Sequence, residues 1–436
     1  MRYISHIFLV LLFISSNLLT AQDPPNILFI IIDDVGVDAF NGYYQGGIKP
    51  VTPTLDSLRS EGITFEQAYA SPVCSPTRAA IMTGQYGIKN GVVGLPGNLD
   101  TSSTSIFEEL ATQTNNQYAD ALIGKWHLTN GRDPDAPLDH GMDYYMGLLS
   151  GATNDYYYWQ KTENGVTARD SSYLTSTLTD RSISWINAQT QPWFLWLAHA
   201  APHSPYHAPP SHMYTTTPTG DLPSFMAMIE SVDYEVNRLL RSIPDSVKDN
   251  TLILFVGDNG TGGEVVQNYG RRNAKGTVYQ GGTRVPMFAV GAGVTRRGER
   301  EPALIHVTDI FATILEAAGV DLPGGKYNSL SFNHLLSNSP GATRDYNYVE
   351  VEMMGRGSFA IRGPQYKLIE SDNGSQEMYD LLADSLELND LLGGTLTPAQ
   401  AAIKADLEAE AATIQTSWSC RDHIQNGDEE GIDCGG

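Results

Sequence analysis

The sequence predicts an α/β protein, with a mainly parallel central sheet sandwiched by helices and then a small C-terminal antiparallel sheet plus helix. Three observations predict it. Four short runs are almost continuously apolar, as strands buried on both faces are. Segments with apolar residues at helical spacing lie between and after them. Beyond Arg344 the chain changes to short strand-like stretches in quick succession. The 436 residues, 41% of them hydrophobic, suffice for one large core or two unequal ones.

At the amino terminus, Arg2 precedes an apolar stretch from Ile7 to Ile14 and a small residue, Ala21. Residues 1–21 therefore read as a signal peptide cleaved near Ala21, and the mature chain is expected to be secreted or periplasmic. The stretch is too short to anchor in a bilayer, and no later run approaches the length of a membrane span, so no membrane insertion is expected. The net charge of −23 is spread along the chain and argues against nucleic acid as a partner.

The four apolar runs are NILFIII (Asn26 to Ile32), ADALI (Ala119 to Ile123), WFLWLA (Trp193 to Ala198) and TLILFVG (Thr251 to Gly257). Polar clusters follow each: Asp33-Asp34, then Gly124-Lys125-Trp126-His127, then His199 and His203, then Asp258-Asn259-Gly260. Ligands of open α/β sheets bind at the carboxyl ends of the strands, so these clusters are expected on one edge. Helices are predicted over TPTLDSLRSEG, TSIFEELATQ, LPSFMAMIESVDYEVNRLLRSI and VTDIFATILEAAG.

Either acidic cluster alone is ordinary turn chemistry. Together, Asp33, Asp34, Asp258 and Asn259 offer hard oxygen donors that suit Ca²⁺ or Mg²⁺ better than zinc. Arg78, Lys125, His127, His203 and Lys275 would then surround a small oxyanion bound to that metal.

The stretch SPVCSPTR holds Cys74, the only cysteine before Cys420 and Cys434. Those two bracket an acidic terminal segment and are candidates to bridge each other, which leaves Cys74 unpaired in an oxidising compartment. A lone cysteine is ordinarily a buried, inert thiol. Here, however, Ser75 as N-cap and Pro76 at the first position predict a helix start over CSPTRAAIMTG, with Cys74 just outside it. Helix N-termini favour anions, and Arg78 in the first turn can turn its planar fork to the same spot.

Cys74-Ser75-Pro76-Thr77-Arg78 resembles the C-x-P-x-R signature of the type I, formylglycine-dependent sulfatases of the alkaline phosphatase superfamily, with Thr77 where serine or alanine is usual. ALIGKWHL, APHSP, GDNG and NAKGTVYQGGTRVP are similar to further motifs of that family in the same order, and the likeness runs from about Pro25 to Leu392. The resemblance implies that Cys74 is oxidised to formylglycine (3-oxoalanine) by a formylglycine-generating or sulfatase-maturating enzyme. It implies that one Ca²⁺ is held by Asp33, Asp34, Asp258, Asn259 and the residue made from Cys74. It further implies that Arg78, Lys125 and Lys275 hold sulfate oxygens and stabilise developing charge, Asp258 takes the proton of the attacking hydroxyl, His203 protonates the leaving alcohol, and His127 takes the proton that starts sulfate release.

Further candidates face the substrate: Ser150, at a position the family often places near it; His199, the rival of His203; Tyr157 and Trp159, from an aromatic run with Tyr156 and Tyr158 that offers sugar-stacking faces; and Arg271, beside Arg272, for further anionic groups. The expected organisation is signal peptide 1–21, catalytic α/β domain 22–343, small α+β subdomain 344–416 and Cys-bracketed tail 417–436. The function this implies is an exported sulfatase acting on a sulfated carbohydrate or other sulfate ester. Rival readings are a phosphonate or phosphate diester hydrolase of the same superfamily, and a non-catalytic protein that binds sulfated glycans and keeps Cys74 as a thiol.

Overall fold

Every residue of the run NILFIII is buried, and it forms the strand β1 (Asn26–Ile32) at the centre of the molecule. Ile27, Phe29 and Ile31 pack into one apolar cluster, while Leu28, Ile30 and Ile32 pack into another on the opposite face. That two-sided burial is why the run is continuous instead of alternating. Each such side chain contributes about 1.5–3 kcal/mol on burial. The computed structural model describes residues 24–43, 46–322 and 327–416, so the expected signal peptide and the tail with Cys420 and Cys434 lie outside the described residues.

Among the described residues, ten strands make the main sheet. After β1 come β2 (Ile63–Tyr69), β3 (Ala119–Lys125), β4 (Tyr145–Leu148), β5 (Trp159–Glu163), β6 (Val166–Asp170), β7 (Trp193–Ala198), β8 (Thr251–Gly257), β9 (Met287–Gly291) and β10 (Glu299–His306). Their spatial order is β10-β2-β9-β8-β1-β7-β3-β4-β5-β6. The central pairs β8-β1, β1-β7, β7-β3 and β3-β4 are parallel. β9 runs antiparallel to both its neighbours, and β5 and β6 add an antiparallel edge.

The register brings the strand ends together. Ile32 pairs with Gly257, Ile31 with Ala198, and Ala198 with Gly124. Asp33, Asp258, His199 and Lys125 therefore emerge at one edge. Gly124 is required there: at φ +131° its α-carbon faces β7 so closely that a Cβ would stand 1.9 Å from the Ala198 carbonyl oxygen. β3 runs two residues beyond the predicted ADALI, because Gly124 and Lys125 pair with Gly147 and Leu148 of β4.

Helices cover both faces. The short helix Cys74–Thr83 and the helices Ile106–Gln113 and Asp309–Ala317 pack on the face of Ile27 and Phe29. The long helix Asp221–Ser242 covers the face of Leu28 and Ile30 with Phe225, Met228, Ile229 and Val232. At the C-terminus, β11 (Asn347–Met353), β12 (Arg356–Arg362), β13 (Tyr366–Ser371) and β14 (Gln376–Asp380) form an antiparallel meander. The helix Pro398–Thr416 buries Leu407 and Ala411 against one side of it, with Ile361, Leu368 and Met378. Its other side, through Val349, Val351 and Ile369, packs on Tyr69, Val73 and Val278. The meander thus supports the chain just before Cys74.

Candidate active site

Cys74 is the first residue of its helix rather than the residue before it, and Val73 is the N-cap. Ser75 makes no cap. Its hydroxyl instead donates to the carbonyl oxygen of His127 at 2.7 Å, tying the helix to the loop after β3. The fully buried first turn thus carries Cys74 and Arg78 to the carboxyl ends of β1, β3 and β8.

Around Cys74 the charges interlock. The thiol points at Asp33 Oδ1 (3.5 Å) and Asp34 Oδ1 (4.0 Å). Arg78 donates through Nη2 to Asp258 Oδ2 and through Nη1 to the Lys125 carbonyl, both at 2.9 Å. Lys125 Nζ donates to Asp33 Oδ2, and Lys275 Nζ to Asp34 Oδ1 at 2.5 Å. His203 Nε2 stands 3.8 Å from Asp34 Oδ2. Asp34 (φ 62°) and His127 (φ 58°) both occupy the left-handed region, an unusual backbone state for such residues that clusters at functional sites. The Asp34 conformation is held by its own N–H, which donates to Asp258 Oδ1 at 2.9 Å.

Burial and charge set the protonation states. Burial would raise Asp33, but Lys125, His203 and Arg78 outweigh it and hold this carboxyl below its ordinary range. Lys275 and His203 do the same for Asp34. Asp258 is pushed up, by burial first and then by Asp33. Burial, then the Asp33 carboxylate, push the Cys74 thiol up to about 12, so an unmodified cysteine here is a poor nucleophile at neutral pH. His127 is pulled far down by burial and by Lys125 and Arg78, which keeps its imidazole neutral.

A hard divalent cation fits this donor set. One donor atom each of Asp33, Asp34, Cys74 and His203 lies within 4.8 Å of the others. Asn259 is wholly buried; its Nδ2 donates to Asp34 Oδ1 at 2.9 Å, and its Oδ1 has no hydrogen-bond partner among the described residues. A buried orphan carbonyl beside two carboxylates is an arrangement a calcium-like ion satisfies. The charge balance agrees. Three carboxylates face Arg78, Lys125 and Lys275, so an incoming anion needs additional positive charge.

The remaining candidates lie differently. His199 is wholly buried, burial pulls it down to about 4, and neither ring nitrogen has a hydrogen-bond partner among the described residues. Trp159 is also wholly buried on β5, with its indole N–H donating to the Ser172 carbonyl at 3.1 Å. It packs in the core instead of offering a stacking face, in the apolar cluster that also holds Met146, Leu148 and Leu174. Tyr157 is 41% exposed, with its hydroxyl on the Ala208 carbonyl. Ser150 is exposed and caps its own turn through Ala152. Its neighbour Gly151 lies against His127, where a Cβ would come within 2.2 Å of Nε2. Arg271 is exposed, with its Nη2 3.7 Å from Glu264 Oε1, a solvent-screened pair that leaves the guanidinium accessible.

Two contributors lie outside the motifs. Thr261 accepts from the Gly36 N–H at 3.0 Å and donates to Asp38, stitching the loop after β8 to the one after β1. Tyr156 is buried, and its hydroxyl reaches the loop of His203. Only position in the GDNGT stretch hinted at the first; for the second, the aromatic run gave no sign of which ring turns inward.

The family description Sulfatase matches residues 25–320, and N-sulphoglucosamine sulphohydrolase, C-terminal, matches residues 271–416. Arylsulfatase J of Mus musculus is 29% identical over 322 residues, covering 67% of this chain and 52% of that protein. The sulfatase YdeN of Escherichia coli (strain K12) is 32% identical over 369 residues, covering 70% and 64%. N-acetylgalactosamine-6-sulfatase of Homo sapiens is 28% identical over 351 residues, again covering 70% and 64%. The chain thus spans between about half and two thirds of the length of these relatives.

Among solved structures, Ps i-CgsB in complex with k-i-k-neocarrahexaose superposes with a TM-score of 0.77 at 26% identity, covering 91% of this chain and 95% of that one. A protein solved with its substrate D-glucosamine-2-N,6-O-disulfate gives 0.76 at 21% identity, covering 92% and 99%, and shares the fold. With two thirds of its length matched by the family description and this architecture throughout, the chain belongs to the sulfatase family of the alkaline phosphatase superfamily.

Proposed function

We propose that the protein is an exported sulfatase that hydrolyses sulfate esters of a sulfated carbohydrate, using Ca²⁺ and a formylglycine made from Cys74. The observation that carries this reading is the convergence of Arg78, Lys125, Lys275 and His203 on the carboxylates around Cys74. Family membership and the sugar complex of Ps i-CgsB support the substrate class. The apolar stretch from Ile7 to Ile14, with the small residue Ala21 after it, supports export.

Asp33, Asp34, Asp258 and Asn259 would hold the calcium, which when bound supplies positive charge beside the attacking hydroxyl and the sulfate. The formylglycine, hydrated, would supply that hydroxyl and a second one beside it. The chain's own residues do the rest. Lys125 and Lys275 bind sulfate oxygens, and Arg78 adds a fixed, desolvated guanidinium as negative charge develops. Asp258 accepts the proton of the attacking hydroxyl. His127, kept neutral, accepts the second proton, and His203 donates through Nε2 to the leaving alcohol.

The test is a parallel assay of calcium-loaded protein, co-expressed with a formylglycine-generating enzyme, on sulfate and phosphate monoesters and diesters. Its panel includes 4-methylumbelliferyl sulfate and sulfated mono- and oligosaccharides. The expected result is the highest kcat/KM on a sulfated sugar; a higher value on a phosphate diester overturns the reading. The intact mass of the Cys74 peptide should show the aldehyde, and turnover by protein carrying only the thiol would overturn the nucleophile.

A further inference from the structure

We infer that Tyr156 is a positioning residue for His203, acting through the turn that carries it. The inference rests on His203 being the proton donor proposed above. Tyr156 is 2% exposed, and its hydroxyl lies 2.8 Å from the Ala200 carbonyl oxygen and 2.7 Å from that of His203. A phenol has one proton, so these two acceptors share it, and the two ends of the turn are clamped at one point. The His203 N–H donates to the same Ala200 carbonyl at 3.0 Å, closing the turn.

The side chain of His203 is oriented by a second contact. Its Nδ1 lies 2.8 Å from the Ser204 carbonyl, which can only accept, so Nδ1 carries a proton. Nε2 is thereby the nitrogen turned toward Asp34. When Nε2 gives its proton to a leaving oxygen, the neutral ring that remains keeps its Nδ1–H bond intact. The arrangement fixes which nitrogen donates; the Tyr156 clamp fixes where it stands. Displacement of a reacting group by about 1 Å costs on the order of 100-fold in rate, so the clamp matters kinetically.

Tyr156 is itself braced. Its ring lies 4.4 Å from that of His207, which bonds the Pro205 carbonyl through Nδ1 and the Tyr173 hydroxyl through Nε2. The Tyr156 carbonyl accepts from the Leu174 N–H at 2.8 Å, at the start of a helix. The turn of His203 is thus fastened to the body of the protein by the phenol oxygen and by the Asp33 N–H, which donates to the Ala201 carbonyl at 3.3 Å.

The test is a double-mutant cycle with Tyr156→Phe and His203→Ala in calcium-loaded, formylglycine-bearing protein, on the best substrate of the panel above. Tyr156→Phe is expected to lower kcat about 10-fold with KM little changed, and His203→Ala to lower it about 100-fold or more. The double variant should be no slower than His203→Ala within a factor of about 3, because the clamp has nothing left to position. Losses that multiply would overturn the inference while leaving His203 as acid. If His203→Ala keeps full activity, or no member of the panel is turned over, the proposed function fails and the inference with it. Should Tyr156→Phe not fold, His207→Gln removes the bracing ring instead; its smaller loss should likewise vanish in the His203→Ala background, and persistence there would overturn the inference.

Discussion

Arg78 Nη2 donates to Asp258 Oδ2 at 2.9 Å, and both side chains are removed from solvent. Deleting one partner of such a pair leaves the other charge buried without its partner, which costs about 3–5 kcal/mol. Arg78→Ala should therefore both inactivate and destabilise, whereas Arg78→Lys keeps a charge but loses the fork that spans Asp258 and the Lys125 carbonyl. For Arg78→Lys we expect a urea midpoint near that of the parent and kcat lowered about 100-fold or more. Equal activity would mean that the fork does not bear on the reacting sulfate.

The orphan Oδ1 of buried Asn259 beside Asp33 and Asp34 predicts a stabilising cation. Calcium added to chelator-treated protein at about 100 times its Kd should add about 2.7 kcal/mol of stability, read as a raised urea midpoint. Asn259→Ala should weaken that response, and zinc at equal free concentration should reproduce it poorly. A midpoint indifferent to calcium would contradict the site.

Gly151 predicts a third outcome, because a Cβ there would meet His127 Nε2 at 2.2 Å. Gly151→Ala must turn the imidazole away, yet it lies in a surface loop outside the sheet. Activity should fall about 10- to 100-fold while the urea midpoint stays within the small range of surface substitutions. Unchanged kcat would show that the ring position of His127 does not matter to turnover.

The legibility of this molecule follows its burial. β1, β3, β7 and β8 lie at the sheet centre, are covered on both faces, and announce themselves as unbroken apolar runs. The outer strands do not. β6, VTARD, is exposed along most of its length, and β10, EREPALIH, is charged where it enters the sheet, so neither stands out from loop sequence. Site residues that follow the central strands were readable for the same reason, since strand ends locate them. Side-chain direction was not: Ser75 has the composition of an N-cap but donates to the His127 carbonyl, and Trp159 looks like a sugar platform but faces the core. Those outcomes depend on loops from distant parts of the chain meeting at one point.

Asp120 offers a prediction independent of catalysis. It sits on β3, 2% exposed, with the Asp143 N–H donating to Oδ1 at 2.8 Å and the Asp143 carboxylate nearby. Burial first, and the charge of Asp143 second, push this carboxyl up to about 8. The folded state therefore holds a proton that the unfolded chain gives up near pH 3.9. Below that pH the contribution to stability is fully present, and it is lost as pH rises through about 8, at up to about 1.4 kcal/mol per pH unit. Asn is isosteric, keeps an Oδ1 for the Asp143 N–H and carries no charge. Asp120→Asn should flatten the fall in unfolding free energy between about pH 5 and 8 and be the more stable protein at the upper end. Urea titrations across that range decide it: parallel profiles for parent and variant would show that Asp120 is ionised in the folded protein throughout.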